Sequence, residues 1–214
     1  MSDEQYNELL KAYTKEALAD MIKADIRQRF PEPYASIYCQ QFDNFKNVAD
    51  FFAKIVDYKS SFTSRHSIGV AEKAAFFAQY IGYDSINVQK IYLAGALHDI
   101  GKVGIGNEIL EKPGKLTDEE YEIIKSHTTH GYDICMKYVE LRKFAPIVRA
   151  HHESFDGSGY PDKLVGSQIP FEASLIKVAD VYDALTPISY PAGSSYLFNF
   201  FSNLSLYPLS YISL

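Results

Sequence analysis

Six histidines occur in this chain, and all of them fall between His66 and His152. Their settings matter as much as their number. His98-Asp99 closes an apolar stretch and runs into Ile100-Gly101-Lys102, and His151-His152 closes another and runs into a glycine-rich segment. Asp180 lies within the apolar run Ile176-Lys177-Val178-Ala179-Asp180, where burying a lone carboxylate is costly unless a cation sits beside it. Taken singly, each of these residues has an ordinary structural role as a hydrogen-bonded core imidazole, a cap or a surface acid. Taken together, histidines and aspartates at helix ends and apolar positions point to a metal centre. Imidazole and carboxylate donors without thiolate suit iron, manganese or a similar divalent ion better than a closed structural zinc site. Cys39 and Cys135 form neither a CxxC pair nor a zinc-ligand spacing and read as inert thiols.

The elements that must position these residues read as helices. Tyr6, Leu9, Leu10, Tyr13, Ala17, Met21 and Ile22 recur at helical spacing, and Pro31-Glu32-Pro33 ends that helix. A second pattern, Ile37, Tyr38, Gln41, Phe42, Phe45, Val48, Phe52 and Ile55, predicts a helix whose apolar face packs into the core. Thr63 or Ser64 can cap a helix that starts near His66 and stops at Gly82. Another builds from Ser85 to Leu97 and delivers His98-Asp99, after which Ile100 to Gly106 reads as loop. Thr117-Asp118-Glu119-Glu120 matches a capping box and opens one helix carrying Tyr121, Ile124, His127 and Ile134. Pro146 fits the first turn of a helix ending at His151-His152. Glu153 to Pro170 has loop composition, and Ala173 to Leu185 is again helical. No segment alternates as a strand does, so the class is all-α.

Composition narrows the function. The chain has 214 residues, 47% of them hydrophobic, and a formal net charge of -6, which argues against a duplex nucleic-acid partner. A phosphate ligand would need local positive charge from bound cations and one or two lysines. No basic and apolar leader opens the sequence, and no apolar run approaches the ~20 residues of a membrane helix. A cytoplasmic location with no membrane contact is the expectation. From Pro187 to Leu214 the chain contains no Asp, Glu, Lys or Arg and is dense in Ser, Tyr, Phe and Leu.

Several separated blocks, in order, resemble the HD-GYP domain: His66; His98-Asp99-Ile100-Gly101-Lys102; His127 with Gly131; His151-His152-Glu153 followed by Asp156-Gly157-Ser158-Gly159-Tyr160-Pro161; and Val178-Ala179-Asp180-Val181-Tyr182-Asp183-Ala184-Leu185. The resemblance runs from about residue 61 to 186. It implies a helical bundle of the HD type with a metal centre in the bundle core. The organisation expected is an N-terminal helical extension over residues 1–58, the HD-GYP domain over 59–186 and an atypical tail over 187–214. It also implies a metal-dependent phosphodiesterase that cleaves cyclic di-GMP to linear pGpG or on to GMP. Carried over residue by residue, it makes His66, His98, Asp99 and Asp180 ligands of one divalent ion. His127, His151 and His152 become ligands of a second, with Asp99 bridging the pair. Iron or manganese is the expected metal. Two such ions ~3.5–4 Å apart clamp a phosphate and activate water. Asp99 and Lys102 are the expected catalytic residues, and Lys102, Gly159, Tyr160 and Pro161 the expected substrate contacts. Asp183 would orient a metal-bound histidine. His130 matches no family ligand. The loop from Asp156 to Pro161 implies docking of diguanylate cyclase domains, and the N-terminal helices would serve either as a homodimer surface or as a cover for the bundle.

Two departures bear on activity. Phe62 stands where members with a third metal carry a Glu, so a two-metal site is expected. Ser189 and Ala192 stand near the positions of basic residues that bind substrate in the family. The alternatives are therefore a catalytically impaired signalling module that binds a nucleotide or a partner protein, and an HD hydrolase of another nucleotide. Gly101-Lys102-Val103-Gly104 is not a phosphate loop, lacking both the Gly-Lys-Ser/Thr order and a preceding strand.

Overall fold

The computed structural model describes residues 15–59 and 66–185. One compact unit covers Met21–Leu185. Nine α-helices occur among the described residues: α1 Lys15–Arg29, α2 Tyr34–Lys59, α3 His66–Tyr80, α4 Ser85–Leu97, α5 Asn107–Leu110, α6 Asp118–Lys125, α7 His127–Lys137, α8 Ala145–Ala150 and α9 Phe171–Leu185. Three short 3-10 turns, at Ile100–Gly104, Arg142–Phe144 and Gly166–Gln168, join them. No strand occurs among the described residues, and the isolated bridge between Asp156 and Val165 pins only the base of a loop. The all-α class expected from the sequence holds. The helix start at Thr63 and Ser64, Phe62 and the segment from residue 187 lie outside the described residues.

The core forms where α3 and α4 pack together, with α9 on α3 and with α2 against both. α3 offers small side chains to that contact: Ala71, Ala74, Ala75 and Ala78 are all fully buried. α4 supplies Val88, Ile91, Leu93 and Leu97. Each large aliphatic buried here stabilises the fold by about 1.5–3 kcal/mol. Tyr92 of α4 donates its hydroxyl to Asp50 of α2 at 2.8 Å, and Lys46 pairs with the other Asp50 oxygen at 2.8 Å. α3 ends as expected just before Gly82, which takes φ +92°. The Thr117 capping box is present with both of its reciprocal hydrogen bonds.

The structure differs from the sequence expectation in three places. The stretch from Ile100 to Gly106 is not loop throughout: Ile100–Gly104 winds into a 3-10 turn, held because its first residue Ile100 and the following Ile105 are buried. The helix expected to run from Thr117 through Ile134 is broken at Ser126. Four consecutive side chains, Ser126, His127, Thr128 and Thr129, each bond to the carbonyl three residues earlier. Such back-bonding competes with the helical ladder and bends it.

The third difference concerns which face of α2 is inside. The buried side chains are Ala35, Cys39, Phe42, Lys46, Ala49, Asp50, Ala53, Val56 and Asp57. Of the large residues that suggested a core face, Phe42 alone is buried; Phe45 and Phe52 are half-buried, and Ile37, Tyr38, Val48 and Ile55 are exposed. Small residues let α2 lie close to α3 and α4, so the bulky stripe is displaced to the outside.

Candidate metal centre

The centre is assembled from helix ends. His98 is the C-cap of α4, His151 is the C-cap of α8, and His127 follows the end of α6. The last carbonyls of a helix lack intrahelical partners. All three histidines use them in the same way: the ring Nδ1 lies 2.6 Å from the Gly95 carbonyl for His98, 2.7 Å from Ile124 for His127 and 2.6 Å from Val148 for His151. A carbonyl only accepts, so each Nδ1 donates, and each ring, when neutral, presents an Nε2 lone pair to the interior. Those lone pairs converge. His127 Nε2 and His151 Nε2 stand 3.2 Å apart. His98 Nε2 lies 3.2 Å from Asp99 Oδ2, and His127 Nε2 lies 3.3 Å from Asp99 Oδ1.

Two lone-pair nitrogens facing each other across a carboxylate repel unless a cation lies between them. Among the described residues, His98 Nε2 and Asp99 Oδ1 are buried without a hydrogen-bond partner, a costly state for polar atoms. A metal ion satisfies both. The potential ligand atoms fall into two groups, Asp99 with His127, His151 and His152, and His66 with His98 and Asp180; within each group they lie within 4.8 Å of one another. The donor set thus fits a divalent metal.

Electrostatics separates the groups. Burial pulls the His66 ring down, but hydrogen bonds to Asp180 (3.0 Å) and Asp183 (2.7 Å) outweigh it and hold the pKa at about 10. Burial also opposes the proton on His98, yet the adjacent Asp99 raises it. On the other side burial and the neighbouring imidazoles push His151 well below its ordinary value and His152 down to about 4; burial lowers His127 too. Asp99 is buried, which alone would raise it, but His98, Lys102 and His127 hold it far below the carboxylate range. Lys102 donates to Asp99 Oδ2 at 2.5 Å and keeps its side chain a quarter exposed.

The turn carrying Asp99 and Lys102 is seated by close backbone packing. A Cβ on Gly101 would come within 1.8 Å of the His127 carbonyl oxygen, so only glycine lets this turn approach α7. His130 is exposed and joins neither ligand group. α9 contributes Asp180 and, one turn later, Asp183, whose second oxygen accepts from Lys73 at 2.6 Å. The orienting position expected for Asp183 is thus occupied by a direct bond to His66.

The loop after His152 lies against the centre. Tyr160 stacks on His152, with ring centroids 4.8 Å apart and planes 27° from parallel. Gly159 is buried against the backbone of Glu153 and Ser154, and Pro161 follows at the loop's turn. Sequence reasoning missed what holds this loop. The buried Glu153 carboxylate accepts from the Asp162 and Leu164 amides at 2.6 and 3.0 Å. Lys177 donates to the Glu153 carbonyl at 2.7 Å and to Ser154 Oγ at 2.6 Å. Arg149 grips Asp162 with two hydrogen bonds. The signal for Lys177 was its place three residues before Asp180, hence on the same helix face. Asp57 of α2 was also missed: it accepts from both Ser67 N (3.2 Å) and Ser67 Oγ (2.6 Å), next to His66.

A family model described as an HD domain matches residues 50–196. The chain belongs to the HD domain family. The sequence resemblance to the HD-GYP branch stands beside this match. Among proteins similar to this HD domain, the cyclic di-GMP phosphodiesterase response regulator RpfG of Xanthomonas campestris is 39% identical over 137 residues, covering 62% of this chain and 36% of its own. A cyclic di-GMP phosphodiesterase of Thermotoga maritima is 38% identical over 157 residues, covering 72% and 43%. A 3'3'-cGAMP-specific phosphodiesterase 3 of Vibrio cholerae is 38% identical over 135 residues, covering 63% and 29%. The chain therefore spans less than half the length of these relatives. Among solved structures, Bd1817, an HDG"Y"P protein from Bdellovibrio bacteriovorus, shares the fold with a TM-score of 0.51 at 19% identity, covering 85% of this chain and 66% of that one. Among the described residues no helix is long and apolar enough to cross a membrane.

Proposed function

We propose that this HD domain is a metal-dependent phosphodiesterase that hydrolyses a cyclic dinucleotide, with cyclic di-GMP as its substrate and linear pGpG as its first product. The observation that carries the reading is the convergence of imidazole Nε2 atoms on the buried Asp99, with Asp99 Oδ1 and His98 Nε2 lacking a hydrogen-bond partner among the described residues. His66, His98, Asp99 and Asp180 would hold one ion and His127, His151 and His152 a second, with Asp99 shared. Iron or manganese suits the oxygen and imidazole donors. When bound, such ions supply Lewis-acid stabilisation of a phosphodiester and a nucleophile at neutral pH.

The chain's own groups complete the chemistry. His127 and His151, tied to carbonyls and lowered by burial, offer lone pairs with their tautomers already fixed, and His98 is oriented by a carbonyl in the same way. Lys102, part-exposed beside Asp99, holds a positive charge where the phosphate gains negative charge. Tyr160, stacked on His152, offers an aromatic wall to a base, and Pro161 shapes the turn beneath it. The exposed Phe155 and Val165 on the same loop suit a protein partner such as a diguanylate cyclase domain. Phe62 in place of an acidic residue favours arrest at pGpG. A cytoplasmic site of action follows from a nucleotide substrate.

The test is incubation of the metal-loaded protein with cyclic di-GMP, 3'3'-cGAMP and linear pGpG, with products separated by chromatography. Hydrolysis of the cyclic forms, abolished together with metal loading in a His98→Ala, Asp99→Ala variant, is the expected result. Retained turnover in that variant overturns the assignment. Ser189 and Ala192, at positions where basic residues bind substrate in the family, favour a second reading: a signalling module that binds the nucleotide without cleaving it. Saturable binding with no product would select that reading.

A further inference from the structure

The outer face of α2 carries a repeat of its own. Tyr34, Ile37, Val48, Phe51, Ile55 and Tyr58 are exposed by 59, 47, 48, 61, 41 and 93%. With Gln41 and Asn44, also exposed, they fall at alternating steps of three and four residues along the whole helix. That is a heptad seam, with Tyr34, Gln41, Val48 and Ile55 at a and Ile37, Asn44, Phe51 and Tyr58 at d. The opposite face of α2 packs on α3 and α4, so this helix is apolar on two sides. A helix apolar on both sides is stable when both sides are covered.

We propose that the seam is a homodimer interface in which two copies of α2 lie parallel and in register. A period of 3.5 residues over 26 residues, about 39 Å of helix, is complementary to a second copy of itself. Taking about 200 Å² for a fully exposed large side chain, the six apolar seam residues expose about 700 Å² per copy. Two copies would bury about 1,400 Å², above the roughly 1,000 Å² a specific interface needs. The polar pair sets the orientation. In a parallel, in-register pair Gln41 meets Gln41 and Asn44 meets Asn44, each amide finding both a donor and an acceptor. In a full-length antiparallel pair Gln41 would face Phe51 and Asn44 would face Val48, leaving buried amides against apolar side chains. An antiparallel shift that pairs Gln41 with Asn44 leaves Ile55 and Tyr58 uncovered. Val48 and Ile55 at a are the β-branched choice of parallel dimers.

The 214-residue chain in sedimentation equilibrium should behave as a dimer at tens of micromolar. Phe51→Glu should raise the dimer dissociation constant at least ~100-fold by burying an unpaired charge in the seam. Its far-UV spectrum and metal content should match the parent, because Phe51 is outside the core. Tyr58→Cys should form an interchain disulfide under mild oxidation, whereas Ser167→Cys, on the exposed turn before α9, should not; Cys39 and Cys135 are buried. A monomeric parent at ~100 µM overturns the proposal, as does a dimer that Phe51→Glu leaves intact. Cross-linking that occurs only between Tyr34→Cys and Tyr58→Cys chains overturns the parallel arrangement.

Discussion

Around Asp99 the two groups of donors are held by different means. His127 and His151 are fixed by main-chain carbonyls of their own helix ends, and His152 by stacking on Tyr160. Among the described residues no carboxylate hydrogen-bonds these rings, so burial decides and lowers all three. His66 instead sits between Asp180 and Asp183, and their carboxylates overcome burial and keep its proton to about pH 10. The first group is a set of rings lowered by burial around one carboxylate, Asp99. The second includes a pair of acids around a cationic ring, His66, where a metal would have to replace a proton. The lesson is that burial lowers every ring in the site, and a ring is raised only where carboxylates outweigh burial, as at His66 and His98.

The largest effect should come from Asp99, the residue proposed to serve both halves. Asp99→Ala removes the carboxylate facing His98, Lys102 and His127. Loss of several kcal/mol of charge stabilisation corresponds to a fall of at least ~10³-fold in hydrolysis. Metal analysis by mass spectrometry should show both of the proposed ions lost. Retention of a single ion would mean that the halves do not share Asp99 and would break the comparison.

A smaller effect should separate the halves. Asp183→Asn keeps the shape of the side chain but removes the charge that orients His66 and pairs with Lys73. Partners of metal ligands typically matter 10–100-fold in affinity. Calorimetric titration of the metal-free protein with Mn²⁺ should therefore show the affinity of one site weakened by that factor and the other unchanged. Equal weakening of both would show that Asp183 acts through the whole bundle rather than through His66.

Much of this centre was legible in the sequence because helix ends are. His98 and His151 follow apolar runs that stop abruptly, and the chemistry of unsatisfied carbonyls then dictates which ring nitrogen faces inward. The α6–α7 break was less legible, since periodicity continues through Ser126. The clue was compositional: Ser126, His127, Thr128 and Thr129 in a row offer four side chains able to take backbone carbonyls. On α2 the large apolar residues misled, because the core prefers Ala35, Ala49 and Ala53 where helices approach closely. The bulk of a side chain marks a face that needs covering, not which partner covers it. Buried charges such as Glu153 and Asp57 carry no sequence signal at all, since their partners are amides and hydroxyls that every loop contains.

The loop clamp gives the smallest and most selective prediction. Lys177 lies one turn before Asp180 on α9 but reaches away from the metal centre, donating to the Glu153 carbonyl and Ser154 Oγ. It ties the neutral half of the site, through the chain after His152, to the helix that carries the acidic half. Lys177→Met keeps the aliphatic stem and removes the ammonium. Because that group is only part-buried, the loss should be about 1–2 kcal/mol, or about 2–8 °C in Tm. Metal content should stay at the parental level, since Lys177 touches backbone and a hydroxyl and no ligand atom. Amide exchange should quicken through residues 153–164, where Glu153 receives the Asp162 and Leu164 amides, and not in α3. Faster exchange at His66 as well would mean that the two halves are coupled through α9, and the division between them would have to be redrawn along that helix.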